Sequence, residues 1–330
     1  MPRPARALGP VLTDALFGLL LIAGQIAGMA AGPAMAQPVD DLERDDALVQ
    51  GIAWRLQTAN AAQCTRAGAR TGHGTGIMLQ DVATYADPAL ARRFYGLTGD
   101  IFVGALADAG PAARAGLAVN STVAAIDGHP VGTMPPPPAS SRFDRVNALQ
   151  TLLDTPADPA TVTLTTADGH TFALPAAPVC RFRVKVDDRR DYAETTRDEV
   201  HIGRRHLAYA RGDTAVIAAM IAHEMAHAVL DHQSAIEAAA ATPAATLATT
   251  RRTEREADRL SVWLLAQAGY PPEAAITFQR TVIARHAGPL TTDKTHGPWQ
   301  TRARVIAEEI GVMDGAPDRD WAQRFRLEGE

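Results

Sequence analysis

The 330-residue chain has only two cysteines, no strong excess of either charge and no internal repeats; its formal net charge is −5. With Cys64 and Cys180 alone available, one disulfide is the most it can form, and two buried thiols are the alternative. A mildly acidic chain offers no basic patch, so no nucleic-acid partner is expected. The N-terminal apolar run from Ala15 to Ala31 is shorter than the ~20 residues a membrane span needs. It also carries Gln25 and several glycines, and no cysteine follows it that could take a lipid.

Arg3 and Arg6 precede that run, and Ala34-Met35-Ala36 closes it with a small-x-small step before Gln37. This is the pattern of a secretory signal peptide over residues 1–36. Export is therefore expected, into the periplasm if the organism is Gram-negative, with no membrane association beyond the signal. In an oxidising compartment a Cys64–Cys180 bond would tie an N-terminal helical segment, residues 37–69, to the strand that enters the C-terminal domain.

What the chain does have is concentrated at His223-Glu224-Met225-Ala226-His227. Residues four apart lie one turn up the same helical face, so His223 and His227 can aim ring nitrogens at one metal ion. Glu224, about 100° around the helix, would stand beside the ion as a general base. The run before it, Asp213 to Ala222, offers an Asp or Thr cap and apolar residues at 217, 220, 221 and 225, the spacing of a buried helix. A catalytic zinc usually takes three protein ligands, and Glu254 is the best third candidate. Asp258 shares its face one turn on and can receive the other ring N–H of a ligand histidine, whereas Glu256 points roughly the opposite way. A solvated charged helix face is the alternative for this stretch.

The two motifs His223-Glu224-x-x-His227 and Glu254-x-x-x-Asp258, the run Leu264 to Ala275, and Thr295-His296-Gly297-Pro298 with Arg302 six after the histidine follow in order. Over residues 180 to 312 they resemble the HtpX/Oma/BepA-type gluzincin metallopeptidases. The resemblance implies one Zn2+ per chain on His223, His227 and Glu254, Glu224 as the base, and Asp258 supporting a ligand from behind. It also implies His296 and Arg302 at the active-site cleft, although Gly297 departs from the family's Thr-His-Pro step. Upstream, Asp191-Tyr192-Ala193 replaces the family's Asn-Ala step. Alternating Val200 and Ile202 predict a strand that, beside a cleft, could pair with an extended substrate. His201 and His206 have no partner motif and are read as surface or packing histidines. Ser234 to Thr250, rich in Ala and Thr, reads as a movable lid or a low-complexity insertion.

Between the cysteines the pattern changes. A strand after Gly99, a small-residue turn closing at Gly116, a strand at 123–126, a tight Asp127-Gly128 turn, a helix at 145–153 and strands at 161–166 and 171–174 follow in order. They resemble a bacterial PDZ domain over residues 70–177, in which Gly74-Thr75-Gly76-Ile77 would catch a peptide carboxylate or serve as a glycine-rich entry turn. The expected fold is α+β: a β-rich PDZ-like domain followed by a mainly helical gluzincin domain at 178–330. The expected activity is that of a zinc endopeptidase acting on unfolded or extended polypeptide, in envelope quality control. The rival is a PDZ-type binding or chaperone-like protein whose zinc site is structural or blocked by His296.

Overall fold

Alanine-rich stretches coil because alanine loses no side-chain entropy in a helix, while β-branched alternations pair as strands. A computed structural model describes residues 36–325 except 139–140, 157, 159, 189, 197–198, 241, 288–295 and 317. Apart from Ala36, the expected signal peptide lies outside the described residues. The fold is mixed α and β.

Two helices come first, α1 (Ala36–Ala59) and α2 (Ala61–Ala67). Buried Asn60 joins them, donating to Leu56 O and Leu264 O and accepting from Trp321 Nε1. One satisfied polar side chain thus fastens the N-terminal helices to elements two hundred residues away.

The β-rich part follows: β1 (Thr71–Gly74), β2 (Ile77–Asp81), α3 (Pro88–Tyr95), β3 (Ile101–Leu106), α4 (Pro111–Arg114), β4 (Val123–Ile126), β5 (His129–Pro130), α5 (Asp144–Asp154), β6 (Thr161–Thr166) and β7 (Thr171–Pro175). Strands in the order β5-β4-β6-β7 make one antiparallel sheet, and β2 pairs with β3. In β6 every second residue is buried, the period of a sheet with one covered face. Asp127 and Gly128 both have positive φ, 46° and 74°, as a tight hairpin turn requires. The strands, helix and turns expected between Gly99 and Leu174 all form. Gly76 has a packing reason: at φ +80°, a Cβ there would come within 3.0 Å of Gly110 Cα. The edge of β2 turned toward α5 is held by Gln150, which accepts from Leu79 N and donates to Ile77 O.

β8 (Ala177–Cys180) runs antiparallel to β1 and ends at Cys180, bonded to Cys64 of α2 with Cα atoms 5.7 Å apart. The expected disulfide forms, and the reading as two free thiols falls. β9 (Arg183–Asp187), β10 (Ala193–Thr196) and β11 (Glu199–Gly203) then pair in the order β10-β11-β9. This corrects one expectation. The strand carrying Val200 and Ile202 is central, antiparallel to β10 and parallel to β9, so it cannot take a substrate along its edge. Both residues are fully buried because the strand is flanked on each side. Among the described residues no strand pairs with the other side of β10, where Ala193 N donates to His206 Nδ1.

The helices are α6 (Arg204–Ala210), α7 (Thr214–Val229), α8 (His232–Ala238), α9 (Pro243–Gln267), α10 (Ala274–Phe278), α11 (Ala284–Ala287), α12 (Trp299–Asp314) and α13 (Trp321–Arg324), with a π turn at Gln279–Ile283. Asp213 caps α7 by accepting from Ala215 N and Val216 N, and Ile217, Met220, Ile221 and Met225 are buried as their spacing predicts. Apolar on nearly every side, α7 is the core helix of this half. Among the described residues no single helix is long and apolar enough to cross a membrane. Ser234 to Thr250, expected as a lid or a low-complexity insertion, is mostly helical among its described residues. Alanine favours the helix, and Thr242 caps α9 by accepting from Ala245 N ahead of Pro243.

The disulfide closes a loop with a sequence separation of 116 residues. Cross-linking a loop of that size is expected to contribute about 2–5 kcal/mol. Replacing Cys64 and Cys180 together by serine should lower the urea midpoint correspondingly, and a variant as stable as the oxidised protein would contradict this.

Candidate metal centre

Helix α7 sets His223 and His227 one turn apart, with Nε2 atoms 3.3 Å from each other. Glu254 comes from the crossing helix α9: its Oε2 lies 3.4 Å from His223 Nε2 and its Oε1 3.4 Å from His227 Nε2. One donor atom from each of the three lies within 4.8 Å of the others, so the group could hold a metal ion. The fit is chemical as well as geometric. Glu254 Oε2 is buried and accepts no hydrogen bond, its charged neighbour being Arg302 Nη2 at 3.2 Å, and two imidazole nitrogens with one carboxylate oxygen suit a first-row divalent cation. Burial by itself would push the Glu254 carboxyl up, but His227 and Arg302 hold it well below the usual range.

The ligands are held from behind. Asp258 Oδ1 is 3.3 Å from His223 Nδ1, one helical turn past Glu254 as expected. Arg302 of α12 donates to Asp258 twice, Nε to Oδ2 and Nη2 to Oδ1, each at 2.7 Å. Gln279, brought round by the π turn, donates to Asp258 Oδ1 at 3.2 Å. Against burial, which raises it, Arg302 keeps the Asp258 carboxyl below its ordinary value. Arg302 itself is buried, and its Nη2 also lies 3.2 Å from Glu254 Oε2 and 3.3 Å from His223 Nε2. Its guanidinium therefore lies against the ligands. His296 Nε2 is 3.5 Å from Glu254 Oε1, with the side chain 46% exposed at the rim. Gly297 after it has φ 78°, a left-handed turn that explains a glycine at that step. Thr295 lies outside the described residues.

Glu224 is where its place on the helix puts it, and its partner comes from the open-edged strand. Thr195 Oγ1 of β10 donates to Glu224 Oε2 at 2.7 Å and lies 2.9 Å from Glu224 O. A cavity of about 960 Å³ opens in front, lined among others by Tyr192, Glu194, Glu224, Phe278, Ile283 and Trp299.

Sequence reasoning missed Thr195, Gln279 and His232. Thr195 and Gln279 lie on other elements with no motif spacing to Glu224 or Asp258. His232, five residues past His227, could have been found: its Nδ1 is 2.9 Å from His227 Nδ1. Glu256 does leave the ligand face, yet it meets His232 at 3.3 Å and is not merely solvated. His206 is the expected packing histidine, buried and accepting from Ala193 N through Nδ1. His201 pairs locally with Glu199 at 3.4 Å. No protein-family model matches this chain, and no curated protein matches it.

Burial, helped by His286, pulls the His206 pKa from 6.5 to about 4. Unfolded, the ring takes a proton near pH 6.5, so stability from the neutral ring is complete above pH 6.5 and lost as pH falls toward 4. The loss is on the order of 3 kcal/mol at most. His206→Asn keeps an acceptor for Ala193 N–H without titrating, so its unfolding free energy should fall less steeply between those pH values. Parallel acid profiles would contradict the assignment.

Proposed function

We propose that the chain is a zinc-dependent peptide hydrolase of the gluzincin class, exported, with a PDZ-like module at 70–177 ahead of its catalytic half. The observation that carries the reading is the meeting of His223, His227 and Glu254 within 4.8 Å, with Glu224 beside them facing a cavity bordered by the open edge of β10. The disulfide fits an oxidising compartment, and the proposed substrates are unfolded envelope polypeptides.

When bound, zinc supplies Lewis acidity toward the scissile carbonyl and toward water. The remaining work falls to the chain's own residues. An extended polypeptide adds to β10 by main-chain hydrogen bonds, which hold its carbonyl in place without reading sequence. Glu224 removes a proton from the attacking water as oxygen bonds to the carbonyl carbon. It returns that proton to the nitrogen as the C–N bond breaks. Thr195 occupies Oε2 and keeps the carboxylate aimed, leaving Oε1 for the proton. His296, at the rim 3.5 Å from Glu254 Oε1, donates to developing negative charge on the carbonyl oxygen.

The purified protein should cleave an unfolded polypeptide when loaded with zinc, lose this on chelation and regain it on zinc addition. Glu224→Gln should keep its metal and lose at least ~10²-fold in turnover, while Glu254→Ala should lose the metal. Wild type without hydrolysis alongside an active His296→Ala variant would favour the rival, a binding module whose site His296 closes. Thr195→Val should slow turnover about tenfold, the value of one lost hydrogen bond, with KM unchanged, and Thr195→Ser should restore it. A Thr195→Val enzyme with full turnover would remove Thr195 from the mechanism.

A further inference from the structure

Each ligand histidine has a second ring nitrogen, and its partner decides which nitrogen carries the proton. For His223 the partner is Asp258. For His227 it is a second imidazole. The chain turns sharply after α7: Asp231 adopts the left-handed conformation at φ 49°, and the axes of α7 and α8 bend by 54°. This unusual backbone for a non-glycine residue returns His232 to its neighbour. The two Nδ1 atoms stand 2.9 Å apart, ring centroids 4.8 Å apart. His232 is 3% exposed.

Two nitrogens at that distance must share one hydrogen. If His227 Nδ1 donates, His227 Nε2 keeps a lone pair toward His223 and toward the Glu254 carboxylate at 3.4 Å, an arrangement that a bound cation relieves, and His232 must carry its own hydrogen on Nε2. That nitrogen lies 3.3 Å from Glu256 Oε2. If His232 Nδ1 donates instead, His227 Nε2 carries the hydrogen and cannot take a metal. His232 Nε2 then turns a lone pair toward a carboxylate, which repels it. Arg252 Nη1 donates to both Glu256 oxygens at 2.9 Å and fixes that carboxylate in place.

We propose that Glu256 and His232 form a positioning relay that favours the metal-binding tautomer and orientation of His227, with its Nε2 lone pair toward the metal. The proposal rests on the reading of His223, His227 and Glu254 as a metal centre. It gives a residue that seemed to face away from the site, Glu256, a role in metal affinity, acting only through His232.

The test is zinc affinity, measured by competition with a chromophoric chelator, for wild type, His223→Ala, His232→Phe, His232→Asn, Glu256→Ala and the double variant His232→Phe/Glu256→Ala. His232→Phe and Glu256→Ala should each weaken binding, the first by about 10–100-fold. The double variant should bind no more weakly than His232→Phe alone, and His232→Asn, which restores an acceptor near the Nδ1 position, should recover affinity. Proton–nitrogen spectra of the zinc-loaded protein should show the His227 Nδ1–H strongly deshielded by its bond to His232 in wild type and shifted upfield in Glu256→Ala, a change that loss of packing would not produce. Should His232→Phe fail to fold, Glu256→Ala, at a partly exposed position, still decides the matter. If His223→Ala loses zinc while His232→Phe and Glu256→Ala keep wild-type affinity, the relay falls and the metal centre stands. If wild type binds no zinc, or His223→Ala binds it equally well, both fall.

Discussion

The buried pair between Arg302 and Asp258 is the constraint on which the metal half depends. Two hydrogen bonds of 2.7 Å fasten α12 to α9, and the same carboxylate stands 3.3 Å from His223 on α7. Three helices thereby meet at one side chain. A pair buried this deeply adds little net stability, because desolvation offsets much of the attraction. Losing one partner, however, leaves an unpaired buried charge at a cost of about 3–5 kcal/mol. Its value lies in geometry: Arg302 bonds Asp258 twice and also stands 3.2 Å from Glu254 Oε2, so one cationic side chain holds both carboxylates of α9 in place.

The second constraint is the small sheet beside the centre. One edge, along β9, is capped by side chains of α1: Gln57 donates to Phe182 O, Gln50 to Val184 O, and Asp46 accepts from Val186 N. An unprotected edge invites pairing with any strand, and here α1 closes one edge while, among the described residues, no strand pairs with β10 on the side of the cavity. The disulfide holds α2 to the strand leading into this sheet, so the N-terminal helices serve as a clamp on the site's scaffold. Asp46 shows the strain of that position: burial pushes its carboxyl up to about 7, against the single backbone hydrogen bond that favours its charged form.

Local periodicity made much of the centre legible in the sequence. His223, Glu224, His227, Glu254 and Asp258 follow from i,i+4 spacing on two helices, and their burial follows from the apolar residues interleaved with them. The strands and turns between Gly99 and Leu174 were equally readable, since each depends on alternation or on a positive-φ turn. Relations between distant elements were not. Nothing near Thr195 announces Glu224, and only a one-residue widening of a helix turn brings Gln279 to Asp258. The order β10-β11-β9 had to come from pairing, because alternation tells that Val200 and Ile202 form a strand but not which strands flank it. Arg302 was singled out only through the family resemblance, and its approach to two carboxylates was not legible at all.

The central claim is that His223, His227 and Glu254 together hold one metal ion. X-ray absorption on the zinc-loaded protein tests it most directly. The account predicts one zinc per chain with only nitrogen and oxygen neighbours, at about 2.0–2.2 Å, and loss of a nitrogen neighbour in His227→Ala. Sulfur neighbours, or a zinc environment unchanged by removing His227, would contradict it.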